Sequence, residues 1–198
     1  MTALNQLGDL VQQLAERHGL RGFVETGCFE GDALALADSL GFSPMMSCDT
    51  CEHWVEIARQ RVPTAEIAHL DSVTFLRSIV TELDCPSLFW LDAHYPQFYD
   101  RSQSDSKRTK LPLYEELCVI ATRPSVQNDV VLCDDIRVIS SGDNPVYWQA
   151  LEGSVLGQTP GYFIERRFKL SDFRNVLAKT HESELLPIGE GIMAFYPR

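Results

Sequence analysis

The residues with the clearest capacity for chemistry are acids placed where apolar runs end: Glu25, Asp49, Asp71, Asp92, Asp134 and Asp135. One carboxylate at a strand end is ordinary and often caps the next helix, as Asp71 could, but five successive ends carrying acids exceed what capping requires. Asp92, Asp134 and Asp135 could converge on one hard cation, because neighbouring parallel strands lie about 4.8 Å apart and oxygen ligands suit magnesium. The plainer reading is that Asp134 and Asp135 cap the following turn and pair with Arg137. His94 follows Asp92 by two residues, and a neutral imidazole there could accept a proton near pH 7. A lone histidine is as readily a satisfied structural residue.

These residues need a scaffold, and the chain supplies a repeating one. Apolar runs at Gly22 to Glu25, Met45 to Cys48, Glu66 to Leu70, Leu88 to Leu91 and Asp129 to Cys133 alternate with helical stretches at Asp32 to Leu40, Glu52 to Arg61, Val73 to Val80 and Pro112 to Thr122. Strands separated by crossover helices are parallel, so the pattern predicts a doubly wound α/β sheet. Leu4, Leu7, Leu10, Val11 and Leu14 predict an amphipathic helix over residues 2–18, which Gly19 would stop. After the fifth run the expected elements are a helix around Val146 to Gly153, a strand at Tyr162 to Phe168, a helix at Asp172 to Ala178 and a strand at Ile192 to Tyr196. The two late strands would form an antiparallel edge on a mostly parallel sheet. Residues 95–111 are polar and carry Arg101, Lys107, Arg108 and Lys110. A loop of that length is expected to be a lid, with Phe98 and Tyr99 as apolar contacts, or a solvated connection. No internal repeat or linker divides the chain, so one domain over 1–198 is expected.

Ligands of such sheets bind beyond the carboxyl ends of the strands, near the point where strand order reverses. The first turn there reads Glu25-Thr26-Gly27-Cys28-Phe29-Glu30-Gly31, with glycines where the chain must turn tightly. It lacks the G-x-G-x-x-G spacing of dinucleotide enzymes, and Glu25 would repel a pyrophosphate. A ligand with an ammonium group and one carboxylate, such as S-adenosylmethionine, tolerates that charge, and Asp49 is placed to accept ribose hydroxyls.

The overall balance narrows the partners. With 17 Lys and Arg against 28 Asp and Glu, a net charge of -11 gives no electrostatic support for binding duplex nucleic acid or an anionic membrane. No apolar run approaches the roughly 18 residues that span a bilayer, and no leader pattern opens the chain, so a cytoplasmic protein is expected. The six cysteines are too dilute for a disulfide scaffold and read as reduced core residues. Cys48 and Cys51 have a metal-like spacing but no second pair, and Trp90 and Trp148 read as packing residues.

Taken together, Glu25 to Gly31, Asp49, Leu70-Asp71-Ser72, Leu91-Asp92-Ala93-His94-Tyr95, Pro112 to Leu117 and Leu132-Cys133-Asp134-Asp135 resemble a class I S-adenosylmethionine-dependent methyltransferase, and within that superfamily the small-molecule O-methyltransferases, including those acting on sugars of natural products. The resemblance implies a seven-stranded Rossmann-like sheet with an antiparallel C-terminal strand. It implies a cofactor site drawn from Glu25, Gly27, Cys28, Gly31, Asp49, Asp71, Ser72 and Asp92, in which the Gly27 loop meets the methionine moiety, Asp49 the ribose and Asp71 the adenine. It also implies transfer to a small hydroxylated acceptor, with His94 and Asp92 catalytic and magnesium on Asp92, Asp134 and Asp135. A homo-oligomer is left open. Two other readings compete: a nucleotide-dependent oxidoreductase, disfavoured by Glu25 and the glycine spacing, and a catalytically silent interaction module on the same sheet.

Overall fold

The computed structural model describes residues 3–93, 112–134, 136, 170–189 and 191–198. Helix α1 (Ala3–His18) leads into an alternation of β1 (Gly22–Thr26), α2 (Asp32–Ser39), β2 (Met45–Asp49), α3 (Glu52–Arg61), β3 (Glu66–His69), α4 (Ser72–Ile79), β4 (Ser87–Leu91), α5 (Leu113–Ile120) and β5 (Val130–Cys133). It closes with α6 (Leu170–Leu177), β6 (His181–Leu186) and β7 (Ile192–Pro197). The seven strands form one sheet in the order β3-β2-β1-β4-β5-β7-β6, parallel except for β7, which is antiparallel to both β5 and β6. This is the doubly wound, Rossmann-like architecture expected from the alternating pattern.

The strands read as apolar runs because both sheet faces are covered. Successive side chains point to opposite faces. Val24, Phe89 and Val131 therefore pack with Phe75, Leu76, Leu117, Ile120 and Phe173 from α4, α5 and α6. Phe23, Leu88, Trp90 and Leu132 pack on the other face with Leu34, Ala37, Val55 and Ala58 from α2 and α3. Val11 and Leu14 join that second layer, so α1 docks on its own chain. Trp90 is a core residue, as expected.

One correction concerns the antiparallel edge. The partner of β7 is His181–Leu186, not Tyr162 to Phe168, which lies outside the described residues. β6 reads HESELL, with Glu182 and Glu184 exposed. It is an edge strand paired on one side only, and exposed charge on such an edge discourages pairing with other chains. That charge also erases the apolar signal of a strand.

The amino end of the sheet is tied by a buried polar network. Arg123 donates from Nε to Asp129 Oδ2 at 2.7 Å, from Nη2 to the carbonyl of Cys85 at 2.8 Å, and from Nη1 to the carbonyls of Val80 and Leu83. Asp129 Oδ1 accepts the N–H of Ser87 at 2.9 Å, and His181 Nε2 bonds the Asp129 carbonyl at 3.0 Å. The starts of β4, β5 and β6 thereby share one charge-paired cluster. No helix among the described residues is long and apolar enough to cross a membrane.

Candidate functional site

Strand order reverses at β1, whose neighbours are β2 on one side and β4 on the other. The crevice beyond the ends of β1 and β4 is thus the expected ligand position, and Gly27 sits in it. Its φ of 82° lies in the left-handed region, and a Cβ there would come within 3.0 Å of the Asp92 carbonyl oxygen and 3.2 Å of Ala93 Cα. Only glycine permits both this turn and this approach. The N–H groups of Gly27 and Cys28 both donate to the Cys48 carbonyl at 3.0 Å, which locks the turn onto β2. Gly31, at φ 78°, opens α2 close against Ala58.

Asp49 ends β2 and clasps two loops. Its Oδ2 accepts the N–H of Phe29 at 3.2 Å, and its Oδ1 accepts the N–H of Cys51 at 2.8 Å. Burial raises the Asp49 pKa while those N–H groups oppose the rise. The two oxygens offer about four acceptor positions and the N–H groups of Cys51, Phe29 and Thr50 take three, so the acid remains able to accept a hydrogen bond from a hydroxyl. Phe29 adopts φ 42°, a left-handed conformation that is uncommon outside glycine, and its ring lies 4.3 Å from that of Trp54. Phe29 and Leu70 are large apolar side chains left exposed at this edge. Arg61 Nη1 donates to the Glu30 carbonyl at 3.0 Å and braces the loop from α3.

Asp71 does cap α4, accepting the N–H of Thr74 at 3.0 Å, and Ser72 is buried just after it. Cys28 and Cys48 are buried thiols whose pKa values burial pushes up. All six cysteines are free, but Cys118 is exposed on α5 rather than in the core. Cys51 opens α3 beside Asp49.

Two carboxylates lie beneath the turn. Glu25, only 2% exposed, accepts Ser47 Oγ at 2.9 Å. Desolvation holds its pKa well above the usual range, and Asp92, Asp49 and Asp32 push it further. Glu116 on α5 is equally buried, and desolvation raises its pKa to about 7, with Asp92 and Glu115 adding to the rise and the Ser72 and Thr26 hydroxyls opposing it. The sequence reading gave Glu116 no role. Its signal was present nonetheless: it falls on the apolar stripe of Leu113, Leu117 and Ile120, where a carboxylate is out of place.

Asp92 and Asp134 end neighbouring strands, since Leu91 pairs with Cys133 and the Asp134 N–H donates to the Leu91 carbonyl at 2.9 Å. Among the described residues no three His, Cys, Asp or Glu side chains gather as a metal cluster. Asp135, His94, residues 95–111, Arg137, Trp148 and the expected helix at Val146 to Gly153 lie outside the described residues. Glu25, Gly27, Cys28, Gly31, Asp49, Asp71, Ser72 and Asp92 are all found at or just beneath the carboxyl edge of β1 to β4.

No family model matches the chain, and no curated protein matches its sequence. Its structure is similar to the S-adenosylhomocysteine-bound methyltransferase PaMTH1 of Podospora anserina, with 14% identity over 97% of this chain and 78% of that one, at a TM-score of 0.58. It is similar to an O-methyltransferase of Bacillus cereus in complex with S-adenosylhomocysteine, with 14% identity over 96% and 80% of the two chains and a TM-score of 0.52. Streptomyces venezuelae DesVI is similar at 14% identity over 98% and 90%, with a TM-score of 0.54. The chain thus has the Rossmann-like fold of S-adenosylmethionine-dependent methyltransferases.

Proposed function

We propose that this chain is an S-adenosylmethionine-dependent methyltransferase acting on a small hydroxylated acceptor, a sugar or natural product. The observation that carries the reading is the Gly27 turn, pressed against Asp92 and Ala93 at the switch point, with the Asp49 carboxylate at the next strand end. This arrangement suits a ligand with a ribose and a methionine end, and the structural neighbours PaMTH1 and the Bacillus cereus enzyme hold S-adenosylhomocysteine.

The cofactor, when bound, supplies an electrophilic methyl group on a sulfonium. The chain's own task is then alignment, exclusion of water and removal of the acceptor proton. Asp49 would accept hydrogen bonds from the ribose hydroxyls, the Gly27 to Gly31 turn would take the methionine end, and Asp71 and Ser72 would border the adenine. Glu25 and Cys28 support the turn from below. His94, two residues beyond Asp92, would accept the proton that the acceptor hydroxyl gives up when its oxygen receives the methyl group. Asp92 and Asp134, at adjacent strand ends, fit the one or two carboxylates that magnesium takes from a protein, with Asp135 as a third.

Transfer of a labelled methyl group from S-adenosylmethionine to a panel of sugars and phenols, with and without magnesium, tests this reading. Wild-type turnover that falls at least about 100-fold in His94→Ala supports a general base, whose usual contribution is about 10²–10⁴. Turnover unchanged by His94→Ala removes the base assignment, and turnover unaffected by chelation removes the metal.

A further inference from the structure

We propose that Glu116 is a buried countercharge that lets the site favour the sulfonium cofactor over its neutral-sulfur product. The inference rests on the methyltransferase reading and deepens it. Glu116 lies in the first turn of α5, on the buried side of that helix. It lies against Thr26, the residue before Gly27, and against Ser72, the residue after Asp71. The two hydroxyls are close enough to stabilise its charged form, yet Glu116 Oε1 and Thr26 Oγ1 complete no hydrogen bond of sound distance and angle within the described residues. Both side chains are almost wholly shielded from solvent, at 1% and 0% exposure.

Such a site is uphill for an anion unless something compensates it. After the Ser72 and Thr26 hydroxyls, the side chains that act on Glu116 most are Asp92 at the β4 end and Glu115 on its own helix, and Glu116 acts in turn on Cys48 of β2 and Cys133 of β5. None is a cation. The contrast with Asp129 is direct, because that buried carboxylate has Arg123 at 2.7 Å. A positive centre arriving at the strand ends would be attracted through a medium of low dielectric, and a neutral thioether in the same place would not. Glu25, Asp49 and Asp92 add to the same field.

The test is calorimetric titration at pH 8.5, where Glu116 is ionised, and without added magnesium, of wild type, Glu116→Gln and Thr26→Val with S-adenosylmethionine and with S-adenosylhomocysteine. Glu116→Gln keeps shape and hydrogen-bonding capacity but removes the charge. It is expected to weaken S-adenosylmethionine roughly tenfold, about 1.4 kcal/mol, and to change S-adenosylhomocysteine binding by much less. Thr26→Val, which loosens the carboxylate, is expected to shift the same ratio by less, and Glu184→Gln on exposed β6 to leave it unmoved. Equal weakening of both ligands, or of neither, would overturn the proposal, and Thr26→Val decides the matter if Glu116→Gln does not fold. Wild type that binds neither ligand overturns the methyltransferase reading together with this inference. Wild type that binds both, with an unchanged ratio in the variants, overturns this inference alone.

Discussion

The N–H of Phe29 donates to Asp49 Oδ2 across the gap between the β1–α2 turn and the end of β2. The acid that would receive a ribose is therefore also the clasp that holds the glycine turn. Asp49→Asn retains one carbonyl acceptor but turns the other position into a donor facing an N–H group. It is expected to cost about 0.5–1.5 kcal/mol of stability, the usual net contribution of one hydrogen bond, and to weaken cofactor binding as well. Urea denaturation alongside calorimetry checks both, and a binding loss without any stability loss would show that the clasp is unimportant.

Gly27→Ala tests the close approach at the switch point. Left-handed backbone costs a non-glycine residue about 1–2 kcal/mol, and a Cβ 3.0 Å from the Asp92 carbonyl oxygen forces main chain apart rather than a side-chain tip. The expected result is a fall of about 2–4 kcal/mol, with cofactor affinity lost in the folded fraction. A variant as stable as wild type would mean that the turn adjusts freely.

Arg123 and Asp129 are both buried and share the network that joins the starts of β4, β5 and β6. Removing one partner strands the other charge, so Arg123→Met is expected to destabilise by about 3–5 kcal/mol. The double variant Arg123→Met with Asp129→Leu is expected to lose less than the sum of the two singles. Strict additivity in equilibrium denaturation would argue against a coupled pair.

Glu116 makes stability depend on pH in a defined direction. The folded protein keeps its proton up to about pH 7, whereas the unfolded chain releases it near 4.5. Between those values the folded state binds more protons, so this contribution to stability is complete at low pH and is lost as pH rises through 7. The span corresponds to about 3 kcal/mol, and burial of Glu25 adds in the same direction. The stability of Glu116→Gln relative to wild type is therefore expected to improve from pH 5 to pH 8. A difference that stays constant across that range would contradict the assignment.

Most of this scaffold was legible because a sheet covered on both faces writes each strand as an apolar run, and each crossover helix writes its own 3.6-residue period. Phe23 to Val24 and Leu88 to Leu91 announced themselves in that way. β6 did not, because an edge strand with Glu182 and Glu184 outward resembles a polar loop. The strand-end acids were visible from sequence, but their surroundings were not. The cap that Asp71 makes on α4 was among the expectations, but not that Glu25 lies beneath the turn on Ser47 or that Asp49 is tied to backbone N–H groups. Glu116 stood in the Pro112 to Leu117 stretch without a role of its own, since an acid in a first helical turn ordinarily serves the helix dipole in solvent. Its burial depends on β1 and α4 meeting α5, which is a tertiary fact.

The most direct measurement is calorimetric titration of folded wild type and Asp49→Ala with S-adenosylmethionine, S-adenosylhomocysteine and NADH. The account predicts micromolar binding of the first two, about -8 kcal/mol, at least tenfold weaker in Asp49→Ala, with no binding of NADH. Tight NADH binding with neither methyl-donor ligand bound would contradict it and favour the oxidoreductase. Binding of none of the three would leave the interaction module as the reading of this sheet.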